Sequence, residues 1–65
     1  MMKILENATI FYYDGIKEKF DAVRKTEKGA VIIRILDVDG KKEFIECGYI
    51  SNDNIKRITG NKKEI

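Results

Sequence analysis

The chemistry open to this chain is bounded first by the residues it lacks. Among 65 residues there is no histidine and a single cysteine, Cys47, so neither a thiol–imidazole pair nor an intrachain disulfide can form. Neither Cys47 nor Ser51 has an evident activating base, and the chain is expected not to be an enzyme. Asp37-Val-Asp39-Gly40 has the spacing that opens a calcium loop, but Lys41 and Lys42 follow where further acidic ligands are required. No metal or other cofactor is expected, and no small-molecule substrate is evident. The five glycines stand singly, which excludes a glycine-rich phosphate cradle. What remains is basic. Arg24, Lys25 and Lys28 cluster around one loop, and Lys17, Lys19 and Arg34 extend a stripe toward Tyr49. Phosphates held by such a stripe, with bases stacked on Tyr12 or Tyr49, would let a small β-protein grip nucleic acid. Glu18, Asp21, Glu27 and Glu43 are interspersed and cancel much of the field, so a solvated surface is the plainer reading of the same charges.

Thirteen Lys and Arg against eleven Asp and Glu leave a net charge of +2, below the electrostatic footprint of a dedicated nucleic-acid binder. Hydrophobic residues at 43 % supply a core and exclude the composition of a disordered chain. A chain of this length makes one small domain, 1–65. The longest apolar run, Ala30–Ile33, is far too short to span a bilayer, and no signal-type segment opens the chain. A cytoplasmic location with no membrane partner is the expectation.

Two Asp-Gly dipeptides, Asp14-Gly15 and Asp39-Gly40, lie between β-branched and aromatic runs, a strong signal for two-residue hairpins. The first joins Ala8–Tyr13 to Ile16–Ala22 and the second joins Ala30–Val38 to Lys41–Ile50. Ser51–Asn54 suits a 3₁₀ turn, and Ile55–Ile58 reads as a short closing strand. Residues 1–7 read as an edge strand or arm and 61–65 as a frayed tail. The class is all-β. The expected architecture is a small five-stranded SH3-like barrel, with an oligonucleotide-binding barrel as the alternative.

With Asp39-Gly40 as a two-residue turn, the second hairpin sets Ile35 against Phe44, Ile33 against Glu46 and Val31 against Gly48. Its other face sets Ala30 against Tyr49, Ile32 against Cys47, Arg34 against Ile45 and Leu36 against Glu43. Both faces are largely apolar, whereas a half-exposed hairpin alternates apolar with polar. Val31, Ile33, Ile35, Phe44 and Ile50 are assigned to the core, with Phe11 and Phe20 as further anchors. The face of Ile32, Arg34, Ile45, Cys47 and Tyr49 is then free for function or assembly, with Ile32, Ile45, Cys47 and Tyr49 as interface residues. A strongly bent strand that buries both faces in different layers accounts for the same pattern.

The string Ala8-Thr-Ile-Phe-Tyr-Tyr-Asp-Gly15, followed by Lys17-Glu-Lys-Phe20, resembles the opening hairpin of the seven-kilodalton crenarchaeal chromatin proteins, with one residue fewer in the first strand. Lys28-Gly-Ala-Val-Ile-Ile33 and Gly48-Tyr-Ile-Ser-Asn-Asp53 sit where that family has a hairpin strand and a strand running into a turn. The resemblance implies an SH3-like barrel whose three-stranded face lies on the DNA minor groove, with apolar side chains between base steps and basic residues on phosphates. It places Cys47 and Tyr49 on the groove face of the fourth strand and Val31 and Ile33 on that of the third. The second placement opposes the face drawn from strand pairing. The chain departs from the family in having no tryptophan, in carrying Phe11, Tyr12 and Tyr13 where lysines are dense, and in lacking the terminal helix. Two functions follow as expectations: a nucleic-acid-binding module, or a protein-interaction module, either a homodimer through the second hairpin or an adaptor that pairs an open strand edge.

Overall fold

A computed structural model describes residues 3–64. Strands β1 (Lys3–Tyr12), β2 (Lys17–Lys25), β3 (Gly29–Val38), β4 (Lys41–Ser51) and β5 (Ile55–Glu64) form one antiparallel sheet in the order β4-β3-β2-β1-β5. A 3₁₀ turn at Asn52–Asn54 links β4 to β5, capped by the Ser51 hydroxyl accepting from the Asp53 N–H. The all-β class, the strand sequence and the 3₁₀ turn follow the sequence reading. β4 and β5 are the two edges and no ladder joins them among the described residues, so the sheet is open.

The chain ends are more ordered than their composition implies. Lys3 pairs with Glu64, Ile4 with Lys63, Leu5 with Lys62 and Glu6 with Asn61, so the stretches read as an arm and a frayed tail lengthen β1 and β5. Met1, Met2 and Ile65 lie outside the described residues. The polar string Asn61-Lys-Lys-Glu64 carries no strand signal of its own; the edge ladder to β1, with Ile4 buried beneath it, holds it in place.

The two Asp-Gly turns differ. Asp39 and Gly40 both have positive φ, 51° and 77°, as a two-residue type I′ turn requires. In the first hairpin only Gly15 is left-handed, and the Tyr12 N–H donates to the Ile16 carbonyl across a three-residue loop. The Asp14 carboxylate accepts from the Ile16 N–H and fixes that turn.

Bulges set the curvature. Asn7, with φ 50°, and Ala8 together oppose Gly60 on β5, and Cys47 is an extra residue in β4 between the pairs Ile33–Glu46 and Ile32–Gly48. The Asn7 bulge brings backbones so close that a Cβ on Gly60 would lie 3.0 Å from the Glu6 carbonyl oxygen. Inward-facing residues change parity there: Ala8, Ile10 and Phe20 join the main core with even numbers, Leu5 and Val23 with odd ones.

The inner face holds that main core: Ala8, Ile10, Val23, Ala30, Ile32 and Ile55, bordered by Leu5, Tyr12, Phe20, Ile50 and Ile58. A second cluster on the outer face joins Ile4, Ala22 and Ile33, bordered by Val31, Ile35 and Phe44. Consecutive Ile32 and Ile33 are thus 7 % and 1 % exposed, and β3 is buried on both sides. Of the core assigned from the sequence, Val31, Ile33, Ile35 and Phe44 belong to the smaller cluster while Ile50 and Phe20 border the larger, and Ile32, assigned to a free face, lies in the larger. Phe11 belongs to neither cluster.

Candidate nucleic-acid interface

Strand alternation turns Phe11 outward because Ile10 beside it is fully buried. Across the sheet Phe11 pairs with Arg57 on β5 and Lys17 on β2, and in the next outward row Thr9 pairs with Thr59 and Lys19. The Arg57 guanidinium lies over the Phe11 ring, 4.3 Å from its centroid, a cation–π contact that leaves one guanidinium face and its N–H groups toward solvent. Three cations, an aromatic ring and two hydroxyls therefore share two rows that contain no carboxylate. Tyr12, expected to offer a stacking surface, points the other way. It packs against the main core and its hydroxyl donates to Glu18 Oε1 at 2.8 Å. Burial first, then the hydrogen bond and charge of Glu18 and the charge of Asp14, push its phenol up from 10.0 to about 12.

The remaining basic residues do not join Lys17 and Lys19 in one stripe. Arg24 is on the outer face of β2, where it donates to Glu46 Oε2 at 2.8 Å and is neutralised. Lys25 sits at the far end of the sheet, where it rims a groove of about 370 Å³ with Lys3, Lys62 and Lys63 above Ile4 and Leu5. Glu64, also lining that groove, approaches Lys3 at 4.0 Å, and Glu6 approaches Lys63 at 3.8 Å. Lys28 is in the β2–β3 loop, its carbonyl accepting from the Asn52 N–H. Arg34 is exposed opposite Ile45 on the inner face of the second hairpin.

The Cys47 bulge rearranges the second hairpin. Past it, Val31 faces Tyr49, Ala30 faces Ile50 and Ile32 faces Gly48, so the pairings expected for those three residues move by one. Tyr49 consequently lies on the outer face with Val31, Ile33 and Phe44, away from Ile45. Its ring reaches over Gly29, where an added Cβ would be 2.7 Å from the hydroxyl oxygen, and it stays 55 % exposed. The interface residues expected from the sequence are thereby separated: Ile32 in the core, Ile45 exposed on the inner side, Tyr49 on the outer side and Cys47 exposed in the bulge. The bulge sets Tyr49 on one face with Val31 and Ile33 and not, as strand pairing alone implied, with Ile32 and Arg34. Arg57 and Phe11 were missed as partners. Strand alternation gave no signal for that pairing, because Ile55 and Ile58, three apart, come to lie opposite Tyr12 and Ile10 only through the extra residue Lys56.

Among the described residues no group of three or more His, Cys, Asp or Glu side chains is placed to hold a metal, and no helix is long and apolar enough to cross a membrane. Comparison with protein-family models, with curated proteins and with solved structures returned no match.

Proposed function

We propose that this protein is a small non-catalytic nucleic-acid-binding module of SH3-like architecture that works through the outer face of β5, β1 and β2. The meander that returns β5 beside β1 after a 3₁₀ turn supports the SH3-like reading. The observation that carries the function is the row Arg57–Phe11–Lys17 with Lys19 beside it, cationic and free of carboxylates. Lys17, Lys19 and Arg57 contact phosphates, and the guanidinium stacked on Phe11 offers a flat cationic surface to a base or sugar.

The test is a fluorescence-anisotropy titration with labelled duplex and single-stranded oligonucleotides at several salt concentrations. Binding should weaken steeply with salt. The double variant Lys17→Glu, Lys19→Glu should lose at least about tenfold in affinity and flatten the log–log salt dependence by about two. Absence of binding at low salt, or an unchanged affinity in that variant, overturns the reading.

A further inference from the structure

We infer that β4 is a self-association edge, and that two copies of this chain pair β4 to β4 in an antiparallel register centred on Phe44. This inference is independent of the nucleic-acid reading, which uses the β5–β1–β2 end of the sheet, away from the β4 edge.

The two edges differ in kind. β5 carries Lys56, Lys62 and Lys63, is bulged at Lys56 and lies against the Asn7 bulge of β1 at Gly60, features that discourage edge pairing. β4 instead presents Phe44 and Ile45 in the middle of an uninterrupted stretch that runs from the Asp39-Gly40 turn to the Cys47 bulge. Beyond Ile33 no β2 residue pairs with β3, so this hairpin projects as a two-stranded ribbon. Both its faces carry apolar side chains, exposed Leu36, Val38 and Ile45 on one and partly buried Ile35 and Phe44 on the other.

The turn sets which backbone groups are free. After a two-residue type I′ turn, Val38 and Lys41 exchange both backbone hydrogen bonds, and the exchange recurs at every second pair. Glu43 and Ile45 therefore bond inward to β3, while Lys42, Phe44 and Glu46 aim their N–H and C=O groups at the open edge. The same phase is visible on the other side of β3, where the Ile35 N–H, opposite Phe44, turns away from β4 to donate to Asp21 Oδ2 at 3.1 Å.

A two-fold axis normal to the sheet keeps matching faces together, so an antiparallel β4 pair must be centred on a residue. Centring on Lys42, Glu43 or Glu46 sets a like charge against itself, and centring on Ile45 sets Phe44 against Glu46. Centring on Phe44 opposes Lys42 to the partner's Glu46 twice and Phe44 to the partner's Phe44, and every such pair uses outward-facing backbone groups, for about six hydrogen bonds. Glu46 engages Arg24 through Oε2, which leaves Oε1 for the partner's Lys42.

Light scattering and sedimentation across a wide protein concentration range should show a monomer–dimer equilibrium. Lys42→Glu alone and Glu46→Lys alone should each raise the dimer dissociation constant by about tenfold or more, and their equimolar mixture should restore it. Cys47→Ser with Phe44→Cys should cross-link as a dimer under mild oxidant. Cα atoms of such a bonded pair lie about 5.5 Å apart, inside the disulfide range. A wild-type monomer at every concentration overturns the proposal, as does a Lys42→Glu dimer as tight as wild type. Lys42 is not a member of the Arg24–Glu46 ion pair, so that variant keeps the test valid if Glu46→Lys unfolds the chain.

Discussion

Phe11 and Tyr12 are adjacent in β1, alike in size, and face opposite solvents. Phe11 is covered from outside by Arg57, whereas Tyr12 closes the core and passes its hydroxyl proton toward Glu18. This difference makes Tyr12 a contributor to alkaline stability. Its folded pKa is raised from 10.0 to about 12, so the folded state holds the phenolic proton more tightly than the unfolded chain. The stabilisation is complete below pH 10 and is lost as pH rises from 10 to about 12. Denaturant melts across that window should show a steeper decline for wild type than for Tyr12→Phe, and equal declines would remove Tyr12 from the account.

At the scale of the element, glycines and bulges decide what the hairpins present. Gly29 sits where β3 starts, and a Cβ there would collide with the Ile50 carbonyl oxygen and meet the Tyr49 ring. Gly48, at the bulge, would bring its Cβ no closer than 3.7 Å to Ile32, ordinary van der Waals contact. Gly29→Ala should therefore cost about 1–3 kcal/mol, while Gly48→Ala stays within about 0.5 kcal/mol of wild type, both read from urea unfolding. The same devices mark where sequence reading succeeds and where it stops. Alternation and Asp-Gly punctuation place both hairpins and pair Ile35 with Phe44 correctly, because those features are local. The extra residue at Cys47 leaves only Gly48 as a local trace, which marks a bulge or turn but not which residue is inserted, and one inserted residue moves Tyr49 to the other side. The site was legible only in Lys17 and Lys19. Arg57 lies 46 residues further along the sequence, on β5, and its place beside Phe11 depends on the long-range pairing of β1 with β5.

For the whole molecule, the consequence of a small open sheet is that there is more apolar surface than one core can hide. The inner face buries the larger share, the outer cluster around Ile33 is sheltered only by its half-buried neighbours, and the projecting ribbon exposes apolar residues on its inner side. Charge is partitioned as well: the outer face is neutralised by Arg24 with Glu46 near β4, and stays cationic around Arg57 near β5. A β4-paired dimer would extend the sheet to ten strands and set two cationic faces at its far ends.

The ladder between β1 and β5 joins residues at opposite ends of the chain, Lys3 beside Glu64. It is the pairing with the largest loop to close, whereas the other three ladders join consecutive strands. Its loop-closure entropy should place it late in folding and make it the slowest step. A circular permutant that links the two ends through a short turn and opens the chain at Asp14-Gly15 would convert that pairing into a hairpin. Stopped-flow refolding of this permutant should be faster than that of the natural order, and an unchanged rate would show that β5 docks only after the rate-limiting barrier is crossed.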